Sequence, residues 1–319
     1  MERTLIEWDI LANQNDYSAI AMARLRFPEG TSRLIFKRTR YLLLSLIYRN
    51  ELKKMYFLFR EPQFKHLPAL HPEILEKPIT PYIFASSTAS KRAAMVEEHY
   101  RLVSTLFPDL IKPIYLDNGI TLGHYPANDM SIRVGHHNTF RREGEMDISI
   151  INERGDRLYS CAFSLTGTTR QMELIIGSVQ GPEPSLENAQ ELIKSMTKEA
   201  FGLRPKSLVV QLVLALAKHI GVSRVLAVKK DAHVLQAKRF SKDHRAKLHA
   251  DYDELWAEFD AKDEDDNFVE LGPLKRKSLE EIASQKRSMY RRRYEWLDNL
   301  ERNIYLTFKR EAITPLSMT

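Results

Sequence analysis

The stretch Leu174 to Gly181, LIIGSVQG, combines residue types that can hold a ligand through the backbone. Three apolar residues typical of a strand, Leu174 to Ile176, precede the segment Gly177, Ser178, Val179, Gln180 and Gly181. A strand that ends in glycines leaves N–H and C=O groups unshielded by side chains, so another molecule can approach closely. Glycines at a strand end also mark a bulge and a turn. Both interpretations of Gly177 and Gly181 stay open at the level of sequence.

Two cations follow at the start of a predicted buried helix, Arg204 and Lys206 in GLRPK. Free N–H groups at a helix start favour phosphate or carboxylate. Strand end, helix start and the next strand, SRVLAV, together resemble the cofactor cleft of GNAT acyltransferases. That resemblance implies acyl-coenzyme A, with its pantetheine arm at Gly177 to Gly181 and its phosphate on Arg204 and Lys206. The alternative is a solvated helix start, because here a predicted helix, Leu186 to Phe201, stands where those enzymes carry a glycine-rich loop.

Three carboxylates alternate in FRREGEMDISI, at Glu143, Glu145 and Asp147. On one strand they would share a face, where neighbouring charges raise a carboxyl pKa toward that of a general base. Glu143 or Glu145 would then take a proton from an amine acceptor. The alternative is a solvent face paired with nearby arginines. The His136–His137 pair lacks a third ligand at the usual spacing, so no metal site is predicted.

The elements that must position these residues form an α+β fold. Residues 1 to about 110 have helical periodicity. Short β-branched segments between turn signals, from PIYLD at residue 113 to residue 181, predict an antiparallel meander. Two helices then cross over to SRVLAV, which makes the sheet of residues 111–274 mixed but mainly antiparallel, with a GNAT-like core. Residues 275–319 predict a basic C-terminal helix.

One helical segment raises a choice between packing and binding. TSRLIFKRTRYLLLSLIYRNELKKMYFLF, residues 31–59, has apolar residues at helical spacing with cations between them. The prediction is a helix that packs by its Leu/Ile face and solvates its basic face. A helix that lies on a membrane surface or on a partner is the alternative.

Composition limits the classes of partner. The chain has 319 residues, a net charge of +6 and a pI near 9.2, which permits an anionic membrane surface or nucleic acid. Nucleic acid is the weaker prediction because acidic residues are mixed with the basic residues of the C-terminal helix.

Cys161, the only cysteine, is expected to be a buried, inert thiol. With no signal-peptide core and no apolar run of ~20 residues, we expect a cytoplasmic protein, or one peripheral on the inner membrane.

Several motifs in one order resemble the VirK/YbjX family of Gram-negative bacteria, a domain of unknown function. They are FRREGEMDISI, IIGSVQG, MTKEAFGLRPKSLVVQLVLALAKHIGVSRVLAV, DYDELW and KRSMYRRRYEWLD, and the match extends from about Tyr41 to Leu300. The resemblance implies association with the cell envelope, with surface display of virulence factors and with resistance to cationic antimicrobial peptides. It supplies no catalytic residues.

Two functions follow as hypotheses. The first is an envelope-associated, acyl-coenzyme A-dependent acyltransferase. The second is a non-enzymatic accessory protein for envelope integrity or surface-protein presentation that binds an anionic lipid or another anionic envelope component. An enzyme needs a concave site where strand end, helix start and carboxylate converge, whereas an accessory protein needs a contiguous basic or apolar surface.

Overall fold

The computed structural model describes residues 2–13, 16–28, 31–126, 130–182, 186, 188–241 and 252–309. Ser185, which its position before Leu186 predicts as a helix N-cap, lies outside these residues. Long helices flank the described sheet at both ends of the chain, so the predicted α+β class is confirmed. The helices are α1 (Glu2–Ala12), α2 (Ala19–Arg26), α3 (Ser32–Ile47), α4 (Arg49–Leu58), α5 (Leu67–Leu70), α6 (Ala89–Leu106), α7 (Ala189–Glu199), α8 (Pro205–His219), α9 (Tyr252–Ala257) and α10 (Ser284–Thr307).

The described sheet has eight strands in the order β1-β2-β3-β4-β5-β6-β8-β7. They are β1 (Ile120–His124), β2 (Ser131–Gly135), β3 (Met146–Ile151), β4 (Arg157–Gly167), β5 (Met172–Gln180), β6 (Arg224–Val228), β7 (Lys262–Asp263) and β8 (Phe268–Leu271). All described pairs are antiparallel except β5 with β6, which α7 and α8 connect. The mixed, mainly antiparallel sheet with a helical crossover is therefore confirmed.

The prediction of a first strand at PIYLD is wrong. Residues Lys112–Leu116 form a short π-helix with a proline in its first turn. Proline suits that position because its φ is helical and its missing N–H needs no partner there. Tyr115 then turns inward, and its hydroxyl lies 2.6 Å from Nε2 of buried His99 on α6.

The core lies between the sheet and α6, α8 and α10. Helix α8 is buried along nearly its whole length, as its apolar sequence predicts, and it packs on β3, β4, β5 and α10. It ends before Gly221, whose φ of +73° suits a glycine exit. Cys161 of β4 is fully buried, which confirms the prediction for this thiol.

The N-terminal helices reach this core through α6, against which α4 packs. The predicted packing of residues 31–59 is wrong in part. The segment forms two helices, and in α3 only Tyr41 and Ser45 are buried, while much of its apolar surface faces outward. Helix α4 buries Leu52, Met55, Tyr56 and Leu58. The division of the chain at residues 110 and 274 stays a prediction.

Candidate functional site

Gly177 is needed by the chain itself. The antiparallel register of β4 and β5 shifts beside Gly177, so this glycine lies in a β-bulge. A Cβ atom placed on Gly177 would lie 1.8 Å from the carbonyl oxygen of Glu143. The segment before β3 therefore crosses directly over the bulge. Of the two interpretations, the structure shows the bulge, and the close approach at Gly177 is made by backbone of the same chain.

The space where β5 and β6 separate contains side chains of helix α9. Pairing of these parallel strands ends at Ile176 and Ala227, and β5 continues to Gln180. Helix α9 fills the space beyond. The Tyr252 hydroxyl contacts the backbone of Val179, with its oxygen 3.2 Å from the Val179 nitrogen, and Trp256 Nε1 donates to the Val228 carbonyl at 3.1 Å. The two rings stack with centroids 5.4 Å apart. Tyr252 therefore contacts the backbone of Val179, one of the residues to which the resemblance assigns the pantetheine arm.

Arg204 and Lys206 lie at the start of α8, as predicted, beside a surface cavity of about 450 Å³. Tyr159 and Thr197 also line this cavity, and the Tyr159 ring lies near Gly181. Arg204, however, forms an ion pair with Glu258, whose other oxygen accepts from the Ser207 hydroxyl at 2.8 Å. A carboxylate of the same chain therefore already binds the Arg204 guanidinium and the Ser207 hydroxyl at this helix start.

Glu145 belongs to a fully buried network rather than to an open site. It forms an ion pair with buried Lys77 and accepts hydrogen bonds from Tyr82 at 2.6 Å and Tyr100 at 3.0 Å. Burial lowers the pKa of Lys77, and the charge of Glu145 opposes that shift. Every charge in this network has a close partner, which is the arrangement that buried ions require.

Glu143 and Asp147 lie in a second buried polar group. Gln180 Nε2 donates to Glu143 at 2.8 Å, and His233 Nε2 lies 3.8 Å from its other oxygen. Asp147 accepts from Ser149. Burial raises the pKa of each carboxyl to about 7. Hydrogen bonds oppose this rise, from Ser178 and Gln180 at Glu143 and from Ser149 at Asp147. Burial also lowers the pKa of His233 to about 4.

The predicted face of three carboxylates is therefore not formed. Strand β3 begins at Met146, so Glu143 and Glu145 precede it and only Asp147 lies within it. A turn through Gly144 places Glu143 on Gln180 and Glu145 on Lys77. Of the predicted site, the structure brings Glu143, Ser178 and Gln180 together, and separately Gly181, Arg204 and Lys206. It places Gly177 and Val179 inside the fold. Their role in ligand binding stays a prediction.

Sequence patterns missed a basic cavity beneath α3. It measures about 150 Å³ and has seven basic and two acidic residues in its lining. Arg26, Lys37, Arg40, Lys77, Arg141, Arg142 and Arg239 supply the positive charges. An adjoining cavity of about 720 Å³ shares Arg40 and Arg239 and adds Arg92 and Lys238. These residues come from distant parts of the chain, so no local sequence motif predicts the cavity.

The outer surface of α3 is apolar. Ile35, Phe36, Leu43, Leu46 and Ile47 are each between 58% and 78% exposed. At ~100° per residue they fall within an arc of about 120°. Arg33, Lys37 and Arg40 follow beside that arc. The sequence does indicate this exposed apolar surface, because residues 31–47 contain more apolar residues than a single buried stripe of a helix needs.

The described residues contain neither a membrane-spanning helix nor a metal-binding cluster. No described helix is long and apolar enough to cross a membrane. Within the same part of the chain, no group of three or more His, Cys, Asp or Glu residues is placed to hold a metal ion.

Comparison with known proteins identifies relatives but no activity. An uncharacterized protein, YbjX, of Escherichia coli K12 is 26% identical over 314 residues, 97% of this chain and 94% of the relative. A Haemophilus influenzae uncharacterized protein is 29% identical over 276 residues, 84% of this chain and 89% of its own. A Mannheimia haemolytica protein named membrane protein LapB is 24% identical over 221 residues, 67% of this chain and 92% of its own.

No solved structure gives a significant match. The family model of proteins of unknown function DUF535 matches residues 31–305, which is most of the chain. With YbjX among its relatives, this chain belongs to the DUF535 family, the VirK/YbjX family of the sequence resemblance.

Proposed function

We propose that this chain is a non-enzymatic envelope accessory protein that docks on an anionic membrane surface through the outer face of α3. The observation that carries the proposal is the five-residue apolar arc on α3 with cations along its edge. Helices that lie in a membrane interface combine such a face with flanking Lys and Arg residues. The name of the Mannheimia relative, a membrane protein, is in keeping with this role.

The attachment of α3 supports docking by its outer side. Its narrow inner side is fixed to α2, since the Tyr41 and Phe27 rings lie 6.2 Å apart and Arg38 Nη2 donates to the Phe27 carbonyl at 2.6 Å. The outer side is therefore presented by a packed helix. All but two of the exposed large apolar side chains in the described chain lie in its first 57 residues, so this end of the molecule is where apolar surface concentrates.

A vesicle co-sedimentation assay tests the proposal. We expect the full chain to sediment with vesicles that contain phosphatidylglycerol and to remain in solution with neutral phosphatidylcholine vesicles. The double variant Leu43→Gln/Leu46→Gln should bind at least tenfold more weakly, since each buried leucine contributes about 1.5–3 kcal/mol. Leu306→Gln on α10, which changes another exposed leucine, is the matched control and should bind normally.

The alternative partner for the outer face of α3 is a second copy of this chain. Size-exclusion chromatography separates the two outcomes. A dimer that becomes a monomer in Leu43→Gln/Leu46→Gln, with no vesicle binding by the parent chain, would overturn the membrane proposal. A monomer that binds vesicles would support it.

The acyltransferase hypothesis keeps one supporting observation, the cavity of about 450 Å³ beside Arg204 and Lys206. Calorimetric titration with acetyl- and longer acyl-coenzyme A tests it. Saturable binding that Lys206→Ala abolishes would support an enzyme. Absence of heat from a folded protein would leave the accessory role.

A further inference from the structure

We propose that the basic cavity beneath α3 binds the phosphate group of an anionic phospholipid whose acyl chains lie against the outer face of α3. This inference rests on the proposed membrane docking and adds the chemical group that the protein recognises. The cavity volume of about 150 Å³ far exceeds the ~10–15 Å³ that one water needs, so a group with several oxygen atoms can enter.

The charges in the cavity are not balanced by the protein. Arg26 is paired with Glu76, with Nη2 and Oε1 2.7 Å apart, and Lys77 is paired with Glu145. Five basic residues remain, and within the described ranges none of them forms an ion pair with a carboxylate. They are Lys37, Arg40, Arg141, Arg142 and Arg239. Glu73, the other acidic residue in the lining, is one negative charge against these five positive ones, so the cavity keeps the excess of positive charge that an anion site requires.

Two of the remaining arginines, Arg142 and Arg239, are held in place by neutral contacts. Arg239 Nη1 donates to the Ile79 carbonyl at 3.3 Å, and the Arg142 guanidinium lies 5.0 Å from the centroid of the Phe240 ring. These contacts orient both side chains and leave their charges uncompensated. Arginine is suited to phosphate because its planar group can donate two parallel hydrogen bonds.

Burial, and after it the neighbouring positive charges, lower the pKa values of two of these arginines. Burial, together with the charges of Arg40, Arg142 and Arg92, lowers the pKa of Arg239 to about 10, although Glu76 opposes the shift. Burial and the charge of Arg141 lower the pKa of Arg142, with Glu76 and Glu143 opposing. A bound anion would relieve this repulsion.

The position of the cavity selects a lipid over a free phosphate. Lys37, Arg40 and Leu44 of α3 line it, while Leu43 and Leu46, one turn of helix apart, lie on the outer arc. A molecule with a phosphate in the cavity therefore has apolar protein surface within one helix width. An anionic phospholipid joins the same two chemistries, an acidic head and apolar chains, at that spacing.

The test measures which vesicles the full chain prefers. The parent chain is titrated with vesicles that contain phosphatidylglycerol and with vesicles of equal surface charge that contain oleate, a carboxylate without phosphate. We expect tighter binding to the phosphatidylglycerol vesicles. Arg142→Gln/Arg239→Gln should lose this preference, with binding to them weakened about 25-fold. It should still bind oleate vesicles through α3. Lys286→Gln/Arg291→Gln on α10 removes the same charge and should keep the preference.

The outcomes separate the two proposals. If the parent chain binds no vesicles, the membrane role itself fails. If it binds both kinds equally, or if Arg142→Gln/Arg239→Gln keeps the preference, docking stands and the phosphate site is overturned. A thermal shift with inorganic phosphate alone, as large as that with phosphatidylglycerol vesicles, would assign the cavity to free phosphate and overturn the lipid proposal. Arg142→Lys keeps the charge but loses the paired donors, and it should reduce the preference even if the double variant does not fold.

Discussion

At the scale of single residues, carboxylates that look alike in sequence have different environments. Glu145 is enclosed by Lys77, Tyr82 and Tyr100, whereas Glu143 contacts Gln180 and His233. The difference arises at Gly144, where a Cβ atom would lie 2.5 Å from the Phe163 nitrogen. Only a glycine lets the chain turn so close to β4 and send adjacent carboxylates to separate partners.

Glu145→Gln should destabilise the protein by roughly 3 kcal/mol or more, because it leaves Lys77 buried without a counter-charge. Urea unfolding measures the change. Glu295→Gln, at an exposed position on α10, is the control and should stay within about 0.5 kcal/mol of the parent. An equally small effect at Glu145 would contradict the buried network.

Gly177→Ala should cost roughly 1–3 kcal/mol or more of stability, because its Cβ would meet the Glu143 carbonyl. Gly181→Ala is the matched control, since its Cβ would meet only the Tyr159 ring at an ordinary 3.4 Å. Thermal unfolding of both variants decides the matter. Equal melting temperatures would remove the structural reason for Gly177.

The pH dependence of stability should reveal the ionisation of the Glu143 carboxyl. Its folded pKa of about 7 lies above the ordinary value of 4.5, so its favourable contribution is complete below pH ~4.5 and is lost as the pH rises through 7. We expect Glu143→Gln to unfold at a higher urea concentration than the parent at pH 8, and to lose that advantage at pH 4.5. An advantage of the same size at both values would contradict a carboxyl whose burial opposes ionisation.

At the scale of elements, sequence patterns predicted what local periodicity controls. Strands β1 to β6 and the buried helix α8 follow from apolar alternation and helical spacing. Two outcomes depended on tertiary contacts and were missed. PIYLD has strand-like residues but forms a helical turn that buries Tyr115, and residues 31–59 have helical spacing that does not show which face the core will cover.

The candidate site was predictable only in part for the same reason. Arg204 and Lys206 follow from the helix start at Pro205. The filling of the β5–β6 opening depends on Tyr252, 73 residues from Val179 in the chain. The basic cavity depends on α3, Arg142 and Arg239 meeting in space. No pattern within one segment records such long-range contacts.

Helix α3 should tolerate polar substitution on its outer arc. Leu43→Gln/Leu46→Gln should change the free energy of unfolding by about 0.5 kcal/mol or less per site, because both side chains already face solvent. Leu52→Ala on α4 should cost roughly 2–5 kcal/mol, since Leu52 is fully buried. Denaturant unfolding compares them. A large loss in the α3 variant would mean that its outer face is covered within the folded chain.

At the scale of the whole molecule, a packed sheet core carries an N-terminal surface that is both apolar and basic. Tyr252 and Trp256 of α9 contact the ends of β5 and β6, and Glu258 binds Arg204 at the start of α8. Uncompensated charge and exposed apolar area meet instead at α3. These features support the proposed role, in which this chain lies on an anionic membrane.

The most direct measurement is the emission of a polarity-sensitive fluorophore attached at Leu46→Cys. Native Cys161 is buried and its thiol pKa is raised well above the ordinary value by burial, so it should stay unlabelled, as the parent chain will show. Phosphatidylglycerol vesicles should shift the emission at position 46 to the blue, while a label at Lys286→Cys on α10 keeps its aqueous spectrum. A label at position 46 that stays in water with every vesicle would contradict the account.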